Sequence, residues 1–236
     1  MEVKDLLTIP IQNYCNSTLT AEELLIWFKI ADAHWQYDGD PDPEKPHAEL
    51  ASGLCSNGYF DVPRLLRYPR VAEIIGMQLG RKLPQMLVAR SIHVDWVVSS
   101  AYSAIVLGHE VAKYLGAIFL NTEKDPKDDK KQLWRRQNIP AGATVLDVEE
   151  LITTTQTADA VRSAVVEGNS EKVNFLDIIV TAVWRPGKLL QPEGKEIIAL
   201  IATEIQNFDP KVCPYCAVES KRYKPKTHWA ELTGKT

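Results

Sequence analysis

The chain has 236 residues, of which 45% are hydrophobic and 25% are charged, as is typical of a soluble globular protein. Its formal net charge of −4 argues against a nucleic-acid-binding protein, which is more often basic. No apolar run reaches the length of a transmembrane helix, and the opening MEVKDLL lacks the basic region of a signal peptide, so we expect a cytoplasmic protein with no membrane partner. Four cysteines in a chain of this length do not indicate a disulfide scaffold.

The first predicted element is an amphipathic helix that begins at a capping box. Thr20 is the expected N-cap, and Glu23 stands at the third helical position. The apolar residues that follow at the spacing of one helical face are Leu24, Trp27, Phe28, Ala31 and Trp35. We expect this face to pack within the subunit, and contact with a second subunit is the alternative.

A proline-rich connector at 39–46 leads into a segment, 47–61, that is interrupted by Ser-Gly and Asn-Gly pairs. Such pairs predict a hairpin-like or looped segment that exposes hydroxyl groups. A helix is predicted over 68–80, because Pro69 suits its first turn and Gly80 suits its end.

Short apolar runs predict the buried strands of one sheet. They lie at 94–98, 117–120, 145–148, 175–183 and 197–201. Helical patterns alternate with these runs, which favours a mainly parallel sheet with helices on both faces. Ligands of such sheets bind at the carboxyl ends of the strands, so the residues that follow the strands are candidate site residues.

The segment 143–168 carries the first candidate site. Glu149 and Glu150 follow the apolar run 145–148, and a hydroxyl-rich turn over 152–157 then opens a helix. The first N–H groups of that helix suit a phosphate, and carboxylates beside it suit hydroxyl groups or a divalent cation. The combination indicates a sugar-phosphate site; the alternative is an ordinary strand–turn–helix with exposed glutamates.

Two further stretches have residues suited to anions. Small residues at 99–104, between a strand and a helix, permit a ligand to approach the backbone. Arg135 and Arg136 could bind a pyrophosphate through bidentate hydrogen bonds. Between these stretches, lysines alternate with acids over 121–131, which predicts a solvated and mobile loop.

The C-terminal tail contains a Cys-x-x-Cys pair, Cys213 and Cys216. A structural zinc site needs four ligands, and the sequence shows no second pair, although His228 could supply a third ligand. Redox chemistry is not favoured, because the pair does not open a helix after a strand. We therefore assign no metal site from the sequence, and whether the pair holds a metal stays open.

The order of these segments resembles that of the type I phosphoribosyltransferases. The strand, the two acids and the Thr-rich turn over 145–157 are similar to their motif for phosphoribosyl pyrophosphate (PRPP). The stretch 100–105 aligns with their Pro-Ala-Tyr-Lys-Gly-Ile turn. The pattern Leu-x-Ser-Gly-x-x-Ser-x-x-Tyr-Phe at 50–60 and the tail Phe-Asp-Pro-x-x-Cys-Pro-x-Cys at 208–216 resemble orotate phosphoribosyltransferases in particular.

The resemblance implies an α/β, type I phosphoribosyltransferase fold, in which a central, mainly parallel sheet is flanked by helices. It implies a single domain over 1–236, with a small hood from about 1–65 and 205–236 and a core over about 66–204. A homodimer is expected as in the family, and the tail is expected to have a structural role.

The activity that the resemblance implies is transfer of a phosphoribosyl group from PRPP to a nitrogenous base, with Mg²⁺ as the cofactor. The base is expected to be of a pyrimidine type, similar to orotate, and the products to be a nucleoside 5′-monophosphate and pyrophosphate. The resemblance assigns Glu149 and Glu150 to the ribose hydroxyls, and Arg135 with Arg136 as catalytic cations. The residues assigned to the 5′-phosphate are Thr153, Thr154, Thr155, Gln156 and Thr157. Those assigned to pyrophosphate are Ser100, Ala101, Tyr102 and Ser103, and those assigned to the base are Ser52, Gly53 and Ser56.

The alternative is a non-catalytic or diverged relative that binds a nucleotide or a phosphorylated nucleoside in a regulatory role. Glu150 stands where the family usually has aspartate, and Thr155 and Gln156 stand where it usually has glycines. The basic Arg-Lys loop is not present as such, and no basic residue flanks the Ser-Gly pair at 52–53. These departures all lie at positions that would contact substrates.

Overall fold

Helices and strands alternate along most of the chain. The computed structural model describes residues 1–83, 87 and 92–235, and none of the helices described there is long and apolar enough to cross a membrane. After a 3-10 helix at Val3–Leu7, the helices are α1 (Gln12–Cys15), α2 (Ala21–Ile30), α3 (Val62–Leu66), α4 (Pro69–Lys82), α5 (Ile105–Leu115), α6 (Gln156–Gly168), α7 (Pro214–Ala217) and α8 (Trp229–Thr233). The strands are β1 (His34–Gln36), β2 (His47–Glu49), β3 (Cys55–Ser56), β4 (Gly58–Phe60), β5 (Trp96–Ser99), β6 (Ile118–Asn121), β7 (Glu123–Asp125), β8 (Asp128–Leu133), β9 (Thr144–Ile152), β10 (Asn174–Trp184), β11 (Glu196–Ala202), β12 (Asn207–Phe208) and β13 (Arg222–Tyr223).

The central sheet has the strand order β11-β10-β9-β5-β6, and every neighbouring pair is parallel. The predicted α/β fold with a parallel sheet is therefore confirmed. β9 extends beyond its predicted end at 148, because β10 beside it is long enough to pair Trp184 with Ile152. Glu149 and Glu150 thus lie within the strand and not after it.

Alternate residues of the central strands pack against different helices. Val97 and Leu146 belong to a core that also holds residues of α2, α4 and α5. Val98 and Val145, their neighbours along the strands, pack with Val161 of α6. Because consecutive side chains of a strand point to opposite faces, this separation confirms that helices cover both faces of the sheet.

The capping box of α2 is confirmed. Thr20 Oγ1 accepts a hydrogen bond from the Glu23 N–H at 3.2 Å, and Glu23 Oε2 accepts one from the Thr20 N–H at 3.0 Å. Trp27 is buried within the subunit, as the apolar face of the helix predicts. The prediction that Trp35 lies on the same helix is wrong, because α2 ends at Ile30 and Trp35 belongs to β1.

The prediction that Gly80 ends a helix is also wrong, since α4 continues to Lys82. Gly76 and Gly80 both face α5. A Cβ atom at Gly76 would collide with the backbone and Cβ of Glu110, and one at Gly80 would collide with the ring of Tyr114. These glycines allow close packing of two helices, which a single sequence does not distinguish from a helix stop.

A second sheet, of four short strands, joins the two ends of the chain. Its order is β12-β3-β2-β13, so strands from 47–56 pair with strands from 207–223. We call these four strands the hood sheet. The division of the chain into a core and a hood, with the bounds given above, stays a prediction.

The segment 121–131, predicted to be a mobile loop, forms most of a hairpin. β7 and β8 pair antiparallel there. At the base of the hairpin, Thr122 Oγ1 donates to Gln132 Oε1 at 2.7 Å, and the Thr122 N–H donates to Ser99 O at 2.9 Å. The prediction of a loop was wrong because it rested on charged composition, whereas backbone pairing and these contacts determine the conformation.

Gly76→Ala is expected to lower the free energy of unfolding. The added Cβ would meet the Glu110 backbone, and overpacking costs about 1–3 kcal/mol, whereas the higher helix propensity of alanine offsets about 1 kcal/mol at most. Gly80→Ala is the matched control, because the Tyr114 ring that it meets is 43% exposed and can move. Urea unfolding followed by tryptophan fluorescence would measure both, and equal stability of the two variants would contradict this account.

Candidate active site

A cleft at the carboxyl edge of the central sheet consists of three cavities. The large cavity, of about 820 Å³, is lined by the turn between β2 and β3, the start of α6 and the tail. The middle cavity, of about 430 Å³, lies at the ends of β5 and β9, and the small cavity, of about 240 Å³, lies beside β4. Lys226 lines all three cavities and Gln156 lines the first two, so the cavities adjoin one another.

The register of the parallel strands determines which residues meet at this edge. β5 ends opposite the middle of β9, so Ser100 lies beside Glu149 and its hydroxyl donates to Glu149 Oε2 at 2.7 Å. β10 ends opposite the last residue of β9, so Arg185 follows at the same edge, where its N–H donates to Ile152 O at 2.8 Å. Residues that follow different strands therefore face one cleft.

Burial dominates the electrostatics of the acids on β9. Glu149 is 2% exposed, and its Oε1 atom has no hydrogen-bond partner among the described residues. Desolvation, together with the charges of Asp147 and Glu150, raises the pKa of Glu149 well above its ordinary value. Desolvation also raises the pKa of Asp147 to about 6, although Arg162 Nε lies 3.2 Å from that carboxylate. This strand end is therefore suited to binding donors or a cation.

The start of α6 offers backbone donors to the cleft. Thr155 is the N-cap, and the first N–H groups of a helix have no intrahelical partner. Thr155 Oγ1 donates to Asp159 Oδ2 at 2.7 Å, so this hydroxyl is occupied within the helix. Lys195 forms an ion pair with Asp159, which offsets a negative charge that would repel an anion. The free N–H groups and the positive end of the helix dipole suit a phosphate.

Cations and one aromatic ring line the large cavity. Arg185 is 5% exposed, and its Nε and Nη1 atoms have no partner among the described residues. Its guanidinium lies 5.8 Å from the centroid of the Tyr59 ring. Lys224 lies 3.8 Å from Glu49, and Lys226 is the third cation of the cavity. Burial of guanidinium nitrogens without hydrogen-bond partners is costly, so the presence of Arg185 in a cavity wall indicates a site for an anion.

Curated proteins named orotate phosphoribosyltransferase are similar to this chain over most of their length. The protein from Nitratiruptor sp. is 31% identical over 189 residues, which cover 77% of this chain and 91% of the relative. The chain belongs to the orotate phosphoribosyltransferase family. The protein from Methylorubrum populi is 29% identical over 196 residues, covering 83% of this chain and 90% of the relative. No family model matches the chain.

Solved structures agree with this family at the level of the fold. The orotate phosphoribosyltransferase from Aeropyrum pernix superposes with a TM-score of 0.53 at 18% identity, covering 76% of this chain and 93% of that one. The UMP synthase of Leishmania donovani gives a TM-score of 0.52 at 17% identity, covering 79% of this chain and 36% of that one. The predicted phosphoribosyltransferase fold is therefore confirmed.

Many of the residues predicted for an orotate phosphoribosyltransferase site meet in the cleft, although their roles stay predictions. Those that line the middle cavity are Ser100, Ala101, Ser103, Glu149, Glu150, Gln156 and Thr157. Those that line the large cavity are Ser52, Thr153, Thr154 and Gln156. We call the expectation that ligands bind at the carboxyl ends of parallel strands the strand-end rule. This rule located these positions in the sequence because the ends of parallel strands share an edge.

Three residues assigned to pyrophosphate or to the base do not line the three cavities. Tyr102 is 72% exposed. Gly53 has φ of +82° in the turn between β2 and β3, a conformation that favours glycine. Ser56 is buried, and its hydroxyl donates to Gly58 O at 3.0 Å, so this side chain holds the backbone between β3 and β4. Ser52, in the same turn as Gly53, does line the large cavity.

The two arginines predicted as catalytic cations also lie outside the three cavities. Arg135 and Arg136 follow β8 and are both exposed. Arg136 Nε is 2.6 Å from Glu123 Oε1 across the β7–β8 hairpin. Lys124 of the same hairpin, which composition placed in a solvated loop, lines the middle cavity instead.

The cations of the large cavity were missed from the sequence. Arg185 directly follows β10, so the strand-end rule that singled out Glu149 could also have found it. Lys224 and Lys226 lie beyond the tail pattern at 208–216, and their place over the cleft depends on long-range pairing of β13 with β2. These three residues supply the positive charge that is absent beside the Ser-Gly pair at 52–53.

Glu149→Gln is expected to stabilise the ligand-free protein at pH 8. A carboxyl group whose pKa is raised by folding stabilises the fold below its unfolded pKa, about 4.3, and loses that contribution as the pH rises through its folded pKa. The neutral amide avoids the buried charge that the wild type carries at high pH. Its Tm should therefore exceed that of the wild type increasingly above pH 5.

Thermal unfolding at a series of pH values would test this expectation. Glu171→Gln is the control, because Glu171 is exposed and lies before β10, at the opposite edge of the sheet. This substitution should leave the dependence of Tm on pH unchanged. A Glu149→Gln protein that is less stable than the wild type at pH 8 would show that burial of the charge is not the dominant effect.

Proposed function

We propose that the chain transfers the phosphoribosyl group of PRPP to an orotate-like pyrimidine base and releases pyrophosphate. The observation that carries this proposal is the buried guanidinium of Arg185 in the wall of the large cavity, whose Nε and Nη1 atoms have no hydrogen-bond partner among the described residues. Guanidinium nitrogens bind a carboxylate in a bidentate manner, and orotate carries such a carboxylate. The membership of the chain in the orotate phosphoribosyltransferase family supports the same substrate class.

The large cavity has the composition that an anionic aromatic base requires. Tyr59 offers a ring face beside Arg185, and Lys224 and Lys226 add positive charge. A base without a carboxylate would leave the Arg185 guanidinium buried and unpaired. Such a site discriminates more strongly against an analogue that lacks the carboxylate than against an analogue with a slightly different shape.

The phosphoribosyl part would occupy the junction of the large and middle cavities. The start of α6, with Thr153 and Thr154, would hold the 5′-phosphate, and Gln156 lies between the two cavities. Glu149 and Glu150 would accept hydrogen bonds from the ribose hydroxyls. The turn over 100–103 and Lys124 would hold the pyrophosphate at the far side of the middle cavity.

The chemistry replaces the bond between C1′ of ribose and a pyrophosphate oxygen with a bond between C1′ and a base nitrogen. The transition state of this family resembles an oxocarbenium ion, so C1′ gains positive charge while the leaving group gains negative charge. The carboxylates of Glu149 and Glu150 lie where they would stabilise the former, and Lys124 and Lys226 where they would stabilise the latter. Both sets of side chains already line the middle cavity in the ligand-free protein.

Mg²⁺ is expected with PRPP, and the residues of the middle cavity fit this ion. Mg²⁺ prefers oxygen ligands, keeps several waters and binds through one or two carboxylates together with substrate phosphates. Glu149 Oε1 has no partner among the described residues, and Glu150 lines the same cavity. These carboxylates would hold the ion, whose charge would neutralise the pyrophosphate.

The alternative of a non-catalytic nucleotide-binding protein is not favoured. The relatives that show the family are named as transferases, and the charged groups that the reaction needs lie in one cleft. The departures at Thr155 and Gln156 remain, but the start of α6 still offers backbone N–H groups. The homodimer and the cytoplasmic location stay predictions.

Arg185→Gln is expected to lower kcat/KM for orotate by about 30-fold or more, because truncating one partner of a buried charge pair costs about 2–5 kcal/mol. Arg185→Lys should recover little, since an ammonium does not reproduce the bidentate geometry. PRPP affinity, measured by calorimetry with Mg²⁺, should change far less. The preference of the wild type for orotate over uracil should shrink in Arg185→Gln.

The control for this experiment is Arg70→Gln, because Arg70 is exposed in the first turn of α4, where its partner is Glu73. Its kinetics should match those of the wild type. Unchanged orotate turnover in Arg185→Gln would contradict the base assignment. A wild type that binds PRPP and turns over no pyrimidine base would overturn the proposed transfer itself.

Lys124→Ala is expected to lower kcat for the forward reaction by about 10- to 100-fold, because it removes a charge that would stabilise the leaving pyrophosphate. Arg136→Ala is the matched control from the base of the same hairpin, since Arg136 contacts Glu123 and no cavity. Steady-state kinetics at saturating PRPP and orotate would compare the two. An equal loss in both variants would indicate that the hairpin matters as a whole and that Lys124 has no separate role.

A further inference from the structure

Four side chains with metal-binding atoms meet in the hood, away from the three cavities. They are His47 of β2, Cys55 of β3, Cys213 just before α7 and Cys216 within α7. Their ligand atoms all lie within 4.8 Å of one another. Three of these residues are buried and Cys216 is half-buried. Cysteine and histidine are the ligands of structural zinc sites.

Three of the distances between these atoms are close to the edges of a tetrahedron around a zinc ion. Cys55 Sγ lies 3.5 Å from Cys216 Sγ, and His47 Nε2 lies 3.4 Å from Cys216 Sγ and 3.8 Å from Cys213 Sγ. With Zn–S of about 2.3 Å and Zn–N of about 2.0 Å, a tetrahedral site has edges of about 3.8 Å between sulfurs and about 3.5 Å from sulfur to nitrogen. The cluster therefore needs little rearrangement to enclose an ion.

Hydrogen bonds on the other side of the imidazole orient His47 as a ligand. The Ser220 hydroxyl donates to Lys45 O at 2.6 Å, so its oxygen is left to accept from His47 Nδ1 at 2.8 Å. Nδ1 then carries the ring proton, and the lone pair of Nε2 faces the cysteine sulfurs. Metal-binding histidines characteristically donate their second ring N–H in this way.

We propose that His47 Nε2 and the thiolates of Cys55, Cys213 and Cys216 bind one structural Zn²⁺ ion. Three sulfurs and one imidazole favour zinc over the hard cations, which prefer oxygen ligands. Four protein ligands leave no open position, and none of the four lines the cleft, so the ion would have no part in the chemistry. His228, considered as a ligand from the sequence, instead hydrogen-bonds Thr227.

The ion would fasten the two parts of the hood, the segment 47–55 and the C-terminal tail, to each other. His47 and Cys55 flank the β2–β3 turn, whose Ser52 lines the large cavity, and Cys213 and Cys216 belong to the tail that carries Lys226. Joining segments so distant in the sequence removes conformational entropy from the unfolded chain. The zinc would thus hold two walls of the cavity in place without contacting a substrate.

Metal analysis of the untagged, full-length protein, purified under reducing conditions without chelator, tests the proposal. Mass spectrometry of the metal content should find one zinc per chain in the wild type. Cys213→Ser, Cys216→Ser and His47→Ala should each lose it. Cys15→Ser is the matched control, because Cys15 is an exposed cysteine outside the cluster, and it should keep its zinc.

Replacement of zinc by Co²⁺ in the wild type gives a second readout that does not require any variant to fold. We expect a thiolate-to-cobalt charge-transfer band and intense visible bands of tetrahedral cobalt, which Cys15→Ser should retain. A wild type that takes up neither metal would overturn the proposal. The proposal would also be overturned if the intact mass were lower by two hydrogens and Cys55 and Cys216 were found in one disulfide-linked peptide. Equal metal loss in Cys15→Ser would overturn it as well. These measurements are independent of catalytic turnover, so they are separate from the test of the transferase.

Discussion

The parallel pairing of β9 with β5 and β10 is the constraint on which the rest of the cleft depends. Backbone hydrogen bonds fix the register, and the register fixes which residues appear at the carboxyl edge. Ser100 meets Glu149 because β5 ends opposite the middle of β9, and Arg185 appears where β10 ends. The pairing of the apolar strands brings the charged groups together, so no contact between the charged side chains themselves is needed.

That arrangement puts charges where burial disfavours them. Glu149 is desolvated beside two other acids, and Arg185 has guanidinium nitrogens without partners among the described residues. Each group would contribute more free energy of binding to a ligand of opposite charge than an exposed group would, because folding has already removed its water. The folded protein thus carries an electrostatic cost that substrates would offset.

The parts of the fold that could be predicted from the sequence are those governed by local patterns. Apolar runs gave the strands, the capping box at Thr20 gave the start of α2, and the strand-end rule gave Glu149 and Ser100. Predictions failed where distant segments decide the structure. Gly80 has the local signature of a helix end, yet its position depends on the ring of Tyr114, which no local pattern reveals.

The hood is a second region whose structure depends on distant segments and could not be predicted from local patterns. A single Cys-x-x-Cys pair is a weak zinc signal, because half of a ligand set is missing from its neighbourhood. Antiparallel pairing of β2 with β3 and parallel pairing of β13 with β2 bring His47 and Cys55 to that pair, across more than half of the chain. The same pairings bring Lys224 and Lys226 over the large cavity. One set of long-range contacts therefore assembles both the metal-binding cluster and the cationic wall, so the stability of the hood and the recognition of an anion depend on the same backbone pairing.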